Sequence, residues 1–206
     1  MQIENLQLGN IYSNEEIRST FGCSLQSGMN KSNSTNTLVL IINHIKSIYH
    51  DRWFNNKVHH IGKGQIGDQE MTRENKTLSE SKANGVVPHL FEVFKAGEYI
   101  YRGEVHLYDK PYQKQQPDKN GDSRLVWVFP LKFNNNSKPI NHSEIENVFQ
   151  TQFKKSQKLS NEELEIKANN LPDILGFREV ATIRHQRNPY VVSYTLRRAN
   201  GVCELC

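Results

Sequence analysis

The stretch Tyr49–Gln69, YHDRWFNNKVHHIGKGQIGDQ, holds the densest set of residues whose types could do chemistry. It combines flat rings, an acid and a glycine-rich loop. Gly62, Gly64 and Gly67 give a GxGxxG spacing, but no GK[ST] follows and no helix–strand crossover surrounds it. Phosphate cradling of the P-loop or dinucleotide type is therefore discounted. No spaced nucleophile–base arrangement is readable, and Asp51, Asp68 and Glu70 make only a weak case for a metal cluster. Inspection of a nucleobase fits better. It requires a base out of its stack, two flat side chains to sandwich it, an acceptor for its Watson–Crick edge, and a loop to fill the vacated space. Tyr49, His60 and Asp51 have the types for the first tasks. The loop Gln26–Asn36 suits the last. Core packing would use the same residue types, so type alone leaves both readings open.

The chain has 206 residues, 26 Lys plus Arg against 22 Asp plus Glu, and a formal charge of +4. That balance permits nucleic-acid contact without requiring it. No apolar run is long enough to span a membrane, and the first residues lack a signal-peptide pattern, so a cytoplasmic location is expected. The 3 cysteines do not make a disulfide framework. Cys23 reads as a small buried hydrophobe. Cys203 and Cys206 form a CxxC, half of a four-ligand zinc site with no second pair upstream.

These residues must be positioned by surrounding elements. Residues 13–21 suit a short helix, with Ser13 and Glu16 at capping-box spacing. A loop of small polar residues runs from Gly22 to Asn36. Thr37–Ile42 reads as a buried strand and Val58–Ile61 as a short one, with turn-rich chain at Asp51–Lys57. Thr72–Ala83 reads as a helix that Gly85 ends. Strands follow at His89–Phe94, Tyr99–Tyr108 and Arg124–Phe133. Tyr99, Tyr101, Val105 and Leu107 are expected on one face; so are Leu125, Trp127, Phe129, Leu131 and Phe133. QQPDKNGD supplies a turn. Beyond Asn134 a linker leads to two helix starts, Asn141 with Glu144 and Ser160 with Glu163. Ile145, Val148, Phe149 and Phe153 form a packing stripe. Arg184, Arg187, Arg197 and Arg198 read equally as a solvated basic face or a DNA-proximal hinge. The pattern predicts an α+β fold, a curved antiparallel β-barrel with flanking helices.

The run HHIGKGQIGDQ…ENKTLSES…NGVVPHLFEVF…YIYRGEVHLY…RLVWVFPLKF resembles an SRA (SET and RING associated) domain, a PUA-like fold that reads modified cytosine. The matching pieces are His60-Ile61-Gly62-Lys63-Gly64, Asp68-Gln69, Asn75 to Leu78, Tyr101-Arg102-Gly103 and Val128 to Leu131. The likeness covers about residues 9–133 and is nearest to the modules of modification-dependent (type IV) bacterial HNH restriction endonucleases. VVSYTLRRANGVCELC resembles the lead into their HNH nuclease.

The resemblance implies an organisation of 1–133 as reader, 134–198 as helical linker and 199–206 as the start of an HNH module. It places Tyr49, Asp51, His60 and Ile61 in the base pocket; Ile61 stands where the family has threonine. It places Gln26, Ser27, Gly28 and Met29 in the DNA gap, with Lys31, Arg52, Lys63 and Gln65 as phosphate or backbone contacts. Cys203 and Cys206 would be the first zinc pair. No catalytic residue and no cofactor are expected in this chain, with zinc and a divalent metal expected in a longer parent. The implied partner is double-stranded DNA with a modified cytosine, methylated, hydroxymethylated or related, and a homodimer is left open. The rivals are a nucleic-acid or protein interaction module that flips no base, and a nuclease within this chain. The missing half of the metal site argues against the second.

Overall fold

The computed structural model describes residues 2–45, 51–135, 140, 142–169, 177–180, 182–185 and 187–200, with backbone alone for 177–180 and 182–185. The chain divides into two compact units, Met1–Pro139 and Ile140–Cys206.

In the first unit, β1 (Ile11–Tyr12) precedes α1 (Asn14–Phe21). Ser13 and Glu16 complete the expected capping box, and Gly22 ends α1 at φ 65° in the left-handed region. The polar segment after it is not all loop. It contains β2 (Met29–Ser32), which pairs antiparallel with β3 (Thr37–Asn43). Next come β4 (Arg52–Phe54) and β5 (Lys57–Ile61), a hairpin where the sequence read turn and then strand. The expected single helix is broken at Glu80 into α2 (Arg73–Ser79) and α3 (Ser81–Asn84), and Gly85 stops it at φ 70°. Four strands follow: β6 (Val87–Lys95), β7 (Glu98–Leu107), β8 (Tyr112–Pro117) and β9 (Ser123–Phe133).

The strands of this unit run in the order β4-β5-β9-β7-β6-β3-β2, with β1 on β7 and β8 on β9. The pairings are antiparallel apart from β3 and β6, which are parallel over seven residue pairs. This mixed sheet with flanking helices is the α+β arrangement expected, with one parallel pair the sequence did not reveal. Its crossover, β4 through α3, is the route by which the chain reaches the site.

The continuous apolar run of β3 is explained by burial on both faces. Leu38, Leu40 and Ile42 enter one core with Trp53, Val58, Leu90, Phe129 and Leu131. Val39 enters a second with Tyr12, Ile17, Phe21, Phe91 and Tyr101. Cys23 is half-buried against that second core. Each fully buried large side chain contributes roughly 1.5–3 kcal/mol.

The expected single face of β7 is split between these cores. Leu90 pairs with Gly103 but Phe91 with Tyr101, so Arg102 is an extra residue in a bulge. The bulge moves Val105 and Leu107 into the first core, while Tyr101 stays in the second. On β9 the expected face holds from Trp127 on: Phe129, Leu131 and Phe133 are in the first core and Trp127 packs against it, while Leu125 is half-buried outside that core.

The second unit contains α4 (His142–Ser156), α5 (Asn161–Asn169), the antiparallel pair β10 (Phe177–Val180) and β11 (Thr182–His185), and α6 (Pro189–Ala199). Helices alone were expected here. The Ser160–Glu163 capping box is formed. Asn188 caps α6, accepting from Tyr190 N at 2.8 Å. Phe149 and Phe153 of the apolar stripe stack with centroids 5.9 Å apart. Arg197 donates to the carbonyls of Gln157 and Leu159, which gives this arginine a structural task. Asn141 and the side chain of Arg184 lie outside the described residues. Among the described residues no helix is long and apolar enough to cross a membrane.

Candidate base-binding site

Strand β5 alternates, so Val58 and His60 face the first core while Lys57 and His59 face outward. His60 stands opposite Phe129 in register and is 2% exposed. Its Nδ1 lies 2.9 Å from Asp51 Oδ1, where the side chains are 3% and 6% exposed. The approach is off the axis of a ring hydrogen bond, and neither ring nitrogen has a hydrogen-bond partner among the described residues. Asp51 Oδ1 also accepts from Ile61 N at 2.8 Å. Both contacts fall on Oδ1, so Oδ2 has no partner among the described residues. A buried imidazole and carboxylate with spare hydrogen-bonding capacity cost free energy unless a ligand or water supplies the missing bonds.

Ile61 turns its side chain the other way, into a small cluster with Val126 and Val128. Its amide donates to Asp51 Oδ1 and so fixes the carboxylate. Tyr49 lies outside the described residues.

The loop after β5 is held by three side chains not singled out for it. Gln69 Nε2 donates to the carbonyls of Gly62 at 2.6 Å and Gly64 at 3.3 Å, and its Oε1 accepts from Trp127 N at 2.9 Å. Asn75 accepts from Lys63 N at 2.7 Å and donates to the carbonyls of Lys63 and Glu70. Arg124, 4% exposed, donates to the carbonyl of Gly64 at 2.8 Å. Gln69 and Asn75 belong to the quoted motif, which was the available signal. Arg124 sits at a strand start where a solvated charge is the ordinary reading, so nothing marked it. Asp68 accepts from Leu125 N at 2.7 Å. Among the described residues no group of three His, Cys, Asp or Glu could hold a metal ion.

The gap-loop residues separate. Met29, expected in the space left by a base, is 1% exposed in the first core. It is the first residue of β2, and the pairing of Met29 with Leu40 turns it inward. Gln26 is exposed and Ser27 and Gly28 are half-buried. Their backbone is shaped by buried Asn30, whose Oδ1 accepts from Gln26 N at 3.1 Å and Ser27 N at 3.2 Å. Gly28 O accepts from Ile41 N, which places this loop at the end of β3 where the chain departs toward Asp51.

The expected phosphate contacts are dispersed. Lys31 is exposed on β2 and Gln65 on the glycine-rich loop. Lys63 Nζ is 2.9 Å from Glu74. Arg52 pairs with His59 in register and so lies on the outer side of β4–β5, away from His60. Cys203 and Cys206 lie outside the described residues.

The mixed sheet with its flanking helices is an SRA-like α+β fold. The chain belongs to the ScoMcrA-like SRA domain family, whose model matches residues 8–147. No curated protein matches it in sequence. Among solved structures, the sulfur-binding and SRA domains of ScoMcrA complexed with phosphorothioated DNA align with TM-score 0.52 and 16% identity, over 70% of this chain and 45% of that one. The type IV phosphorothioation-dependent restriction endonuclease ScoMcrA aligns with TM-score 0.52 and 14% identity, over 97% of this chain and 43% of that one. The SUVH5 SRA domain in complex with fully methylated CG DNA aligns with TM-score 0.51 and 15% identity, over 67% of this chain and 95% of that one. The chain thus spans less than half the length of the ScoMcrA chains it matches.

Proposed function

We propose that the first unit binds double-stranded DNA carrying a modified cytosine and holds that base, turned out of the stack, against Asp51 and His60. The observation that carries this reading is the unsatisfied pair: a His60 ring 2% exposed with no hydrogen-bond partner, beside a carboxylate oxygen equally free among the described residues. Asp51 Oδ2 accepts from the exocyclic amine of cytosine. His60 offers a flat face, and Tyr49 the second. The loop Gln26–Gly28, preformed by Asn30, enters the space the base leaves. The neighbours bound to phosphorothioated and to fully methylated CG DNA support DNA with an added chemical mark as the ligand. The likeness to a type IV restriction endonuclease supports a further step. The reader directs an attached nuclease, with Cys203 and Cys206 supplying two thiolates of a zinc site in an HNH module.

The pocket is tested by titrating Asp51→Ala and His60→Ala against modified and plain duplexes at fixed salt. Losing a base-stacking ring costs about 1–3 kcal/mol, or roughly 5- to 150-fold. Each variant is expected to fall to the affinity of the plain duplex and no further, because phosphate contacts remain. Full preference retained in both would place the pocket elsewhere.

A further inference from the structure

Strands β4 and β5 carry a second constellation on the side away from His60. The register sets Arg52 beside His59, and Phe54 beside Lys57. From β9, Lys132 stands beside Lys57. Tyr112 of β8 and Tyr108, just past β7, complete the group. The His59 ring is held at both nitrogens, with Nδ1 2.9 Å from Tyr112 Oη and Nε2 2.6 Å from Tyr108 Oη. Arg52 Nη2 donates to Tyr112 Oη at 3.3 Å, and its guanidinium carbon lies 5.8 Å from the centre of the Phe54 ring. Lys57 Nζ sits 4.5 Å from the centre of the Tyr108 ring. Phe54 meets His59 edge-on at 4.8 Å.

The patch is thus a locked raft of four rings bearing three cations. A neutral imidazole has one donor and one acceptor, so bridging two hydroxyls fixes the hydrogen bonds of both tyrosines. Burial, and then the charges of Arg52 and Lys57, depress the pKa of His59, while Asp109 raises it. Asp109 is the acid of the neighbourhood, and Arg52, Lys57 and Lys132 make no ion pair with any carboxylate among the described residues. Arg52 uses one of its five N–H donors here. The ammonium of Lys57 rests on a ring and keeps its donors for an incoming acceptor. Phe54, His59 and Tyr108 are half-buried and Tyr112 is exposed, so the rings border solvent beside cations that no carboxylate of the described residues neutralises. The ligand such a surface suits is anionic, with flat or sugar faces of its own. A phosphodiester backbone has that chemistry, whereas an acidic peptide uses the charge and leaves the rings idle.

We propose that the outer face of β4, β5, β8 and β9 is a second DNA-contact surface, taking a phosphodiester backbone on the side of the sheet away from the base pocket. It rests on the DNA-binding reading of this domain but not on base flipping. The test therefore uses unmodified duplex and the full chain. Each phosphate contact contributes about 0.9 to the slope of log affinity against log salt. Lys57→Gln with Lys132→Gln is expected to flatten that slope by roughly 1.8, on the same basis. Arg52→Gln alone should flatten it by about half as much. Lys76→Gln with Lys82→Gln removes the same charge from α2 and α3 and should leave the slope in place. Melting temperatures confirm that each variant is folded. An unchanged slope in both patch variants overturns the proposal; so does equal flattening by the α2–α3 control, which would mean diffuse positive charge. Absence of any preference for modified duplex in the intact chain would count against the pocket and leave this result standing.

Discussion

At the residue scale, Asp51 has two tasks that can be separated. It fixes the Ile61 amide, and in the proposed pocket its other oxygen receives the base. Removing it exposes a buried N–H to an unmade bond, at about 1–3 kcal/mol. Asp51→Ala should therefore lower the melting temperature as well as the preference for modified DNA. His60→Ala should affect binding more than folding, because the ring has no hydrogen bond to lose. An Asp51→Ala protein as stable as the parent would show that the Ile61 contact is not formed. A second residue-scale expectation concerns His89. Its ring is buried with Nδ1 2.9 Å from Tyr101 Oη, and burial lowers its pKa to about 4. The unfolded chain takes up this proton near the ordinary value of about 6.5, before the folded protein does. Stability is thus complete above that value and declines as pH falls toward 4, by about 3 kcal/mol at most. His89→Gln should flatten this part of the stability–pH curve measured by urea unfolding. An unchanged curve would mean that His89 takes up its proton as readily in the fold as in the unfolded chain. The types of Asp51 and His60 were legible in the sequence, and so was their pairing with a glycine-rich loop. The inward burial of Met29 was not, because a polar stretch such as SGMNKSNSTN carries no strand period to betray β2.

At the element scale, the site depends on how rigidly the chain after β5 is held. Gly62 is the point of closest approach: a Cβ there would meet Asn75 Oδ1 and Gln69 Oε1 at 2.8 Å and Phe129 Cε2 at 3.1 Å. Gly62→Ala should displace both clamps and cost about 1–3 kcal/mol, the usual price of overpacking. Hydrogen exchange should accelerate at the amides of Lys63 and Trp127, which those side chains accept from. Unchanged protection there would mean that the loop does not rely on the clamps. Apolar period and capping residues located α1, β3, β5, β6, β7 and β9 in the sequence. They failed on β4 and β8 because Arg52–Phe54 and Tyr112–Pro117 are short or polar, and their partner strands supply the pattern they lack. The bulge at Arg102 escaped for another reason: counting by twos assumes an unbroken pleat. Arg102 Nε lies 3.1 Å from Glu92 Oε2, with both side chains almost fully buried, and that contact is invisible to any local pattern.

At the scale of the whole molecule, β3 and β6 pair in parallel, and the chain between them supplies β4, β5, α2 and α3. Asp51 and His60 are carried on that crossover, whereas the loop Gln26–Gly28 lies before β2. No short motif groups these residues; the family resemblance alone implies that they serve one site. The same sheet presents rings and cations on its far side, the face proposed above as a second DNA-contact surface. The measurement that tests the central claim most directly is the affinity of the intact chain for otherwise identical duplexes, compared at one salt concentration. The duplexes carry cytosine, 5-methylcytosine, 5-hydroxymethylcytosine or a phosphorothioate linkage. We expect tighter binding to at least one cytosine-modified duplex than to the plain one, by roughly the 5- to 150-fold that one stacked base is worth. Equal affinity for plain and cytosine-modified duplexes, or a preference for the phosphorothioate alone, would contradict the account.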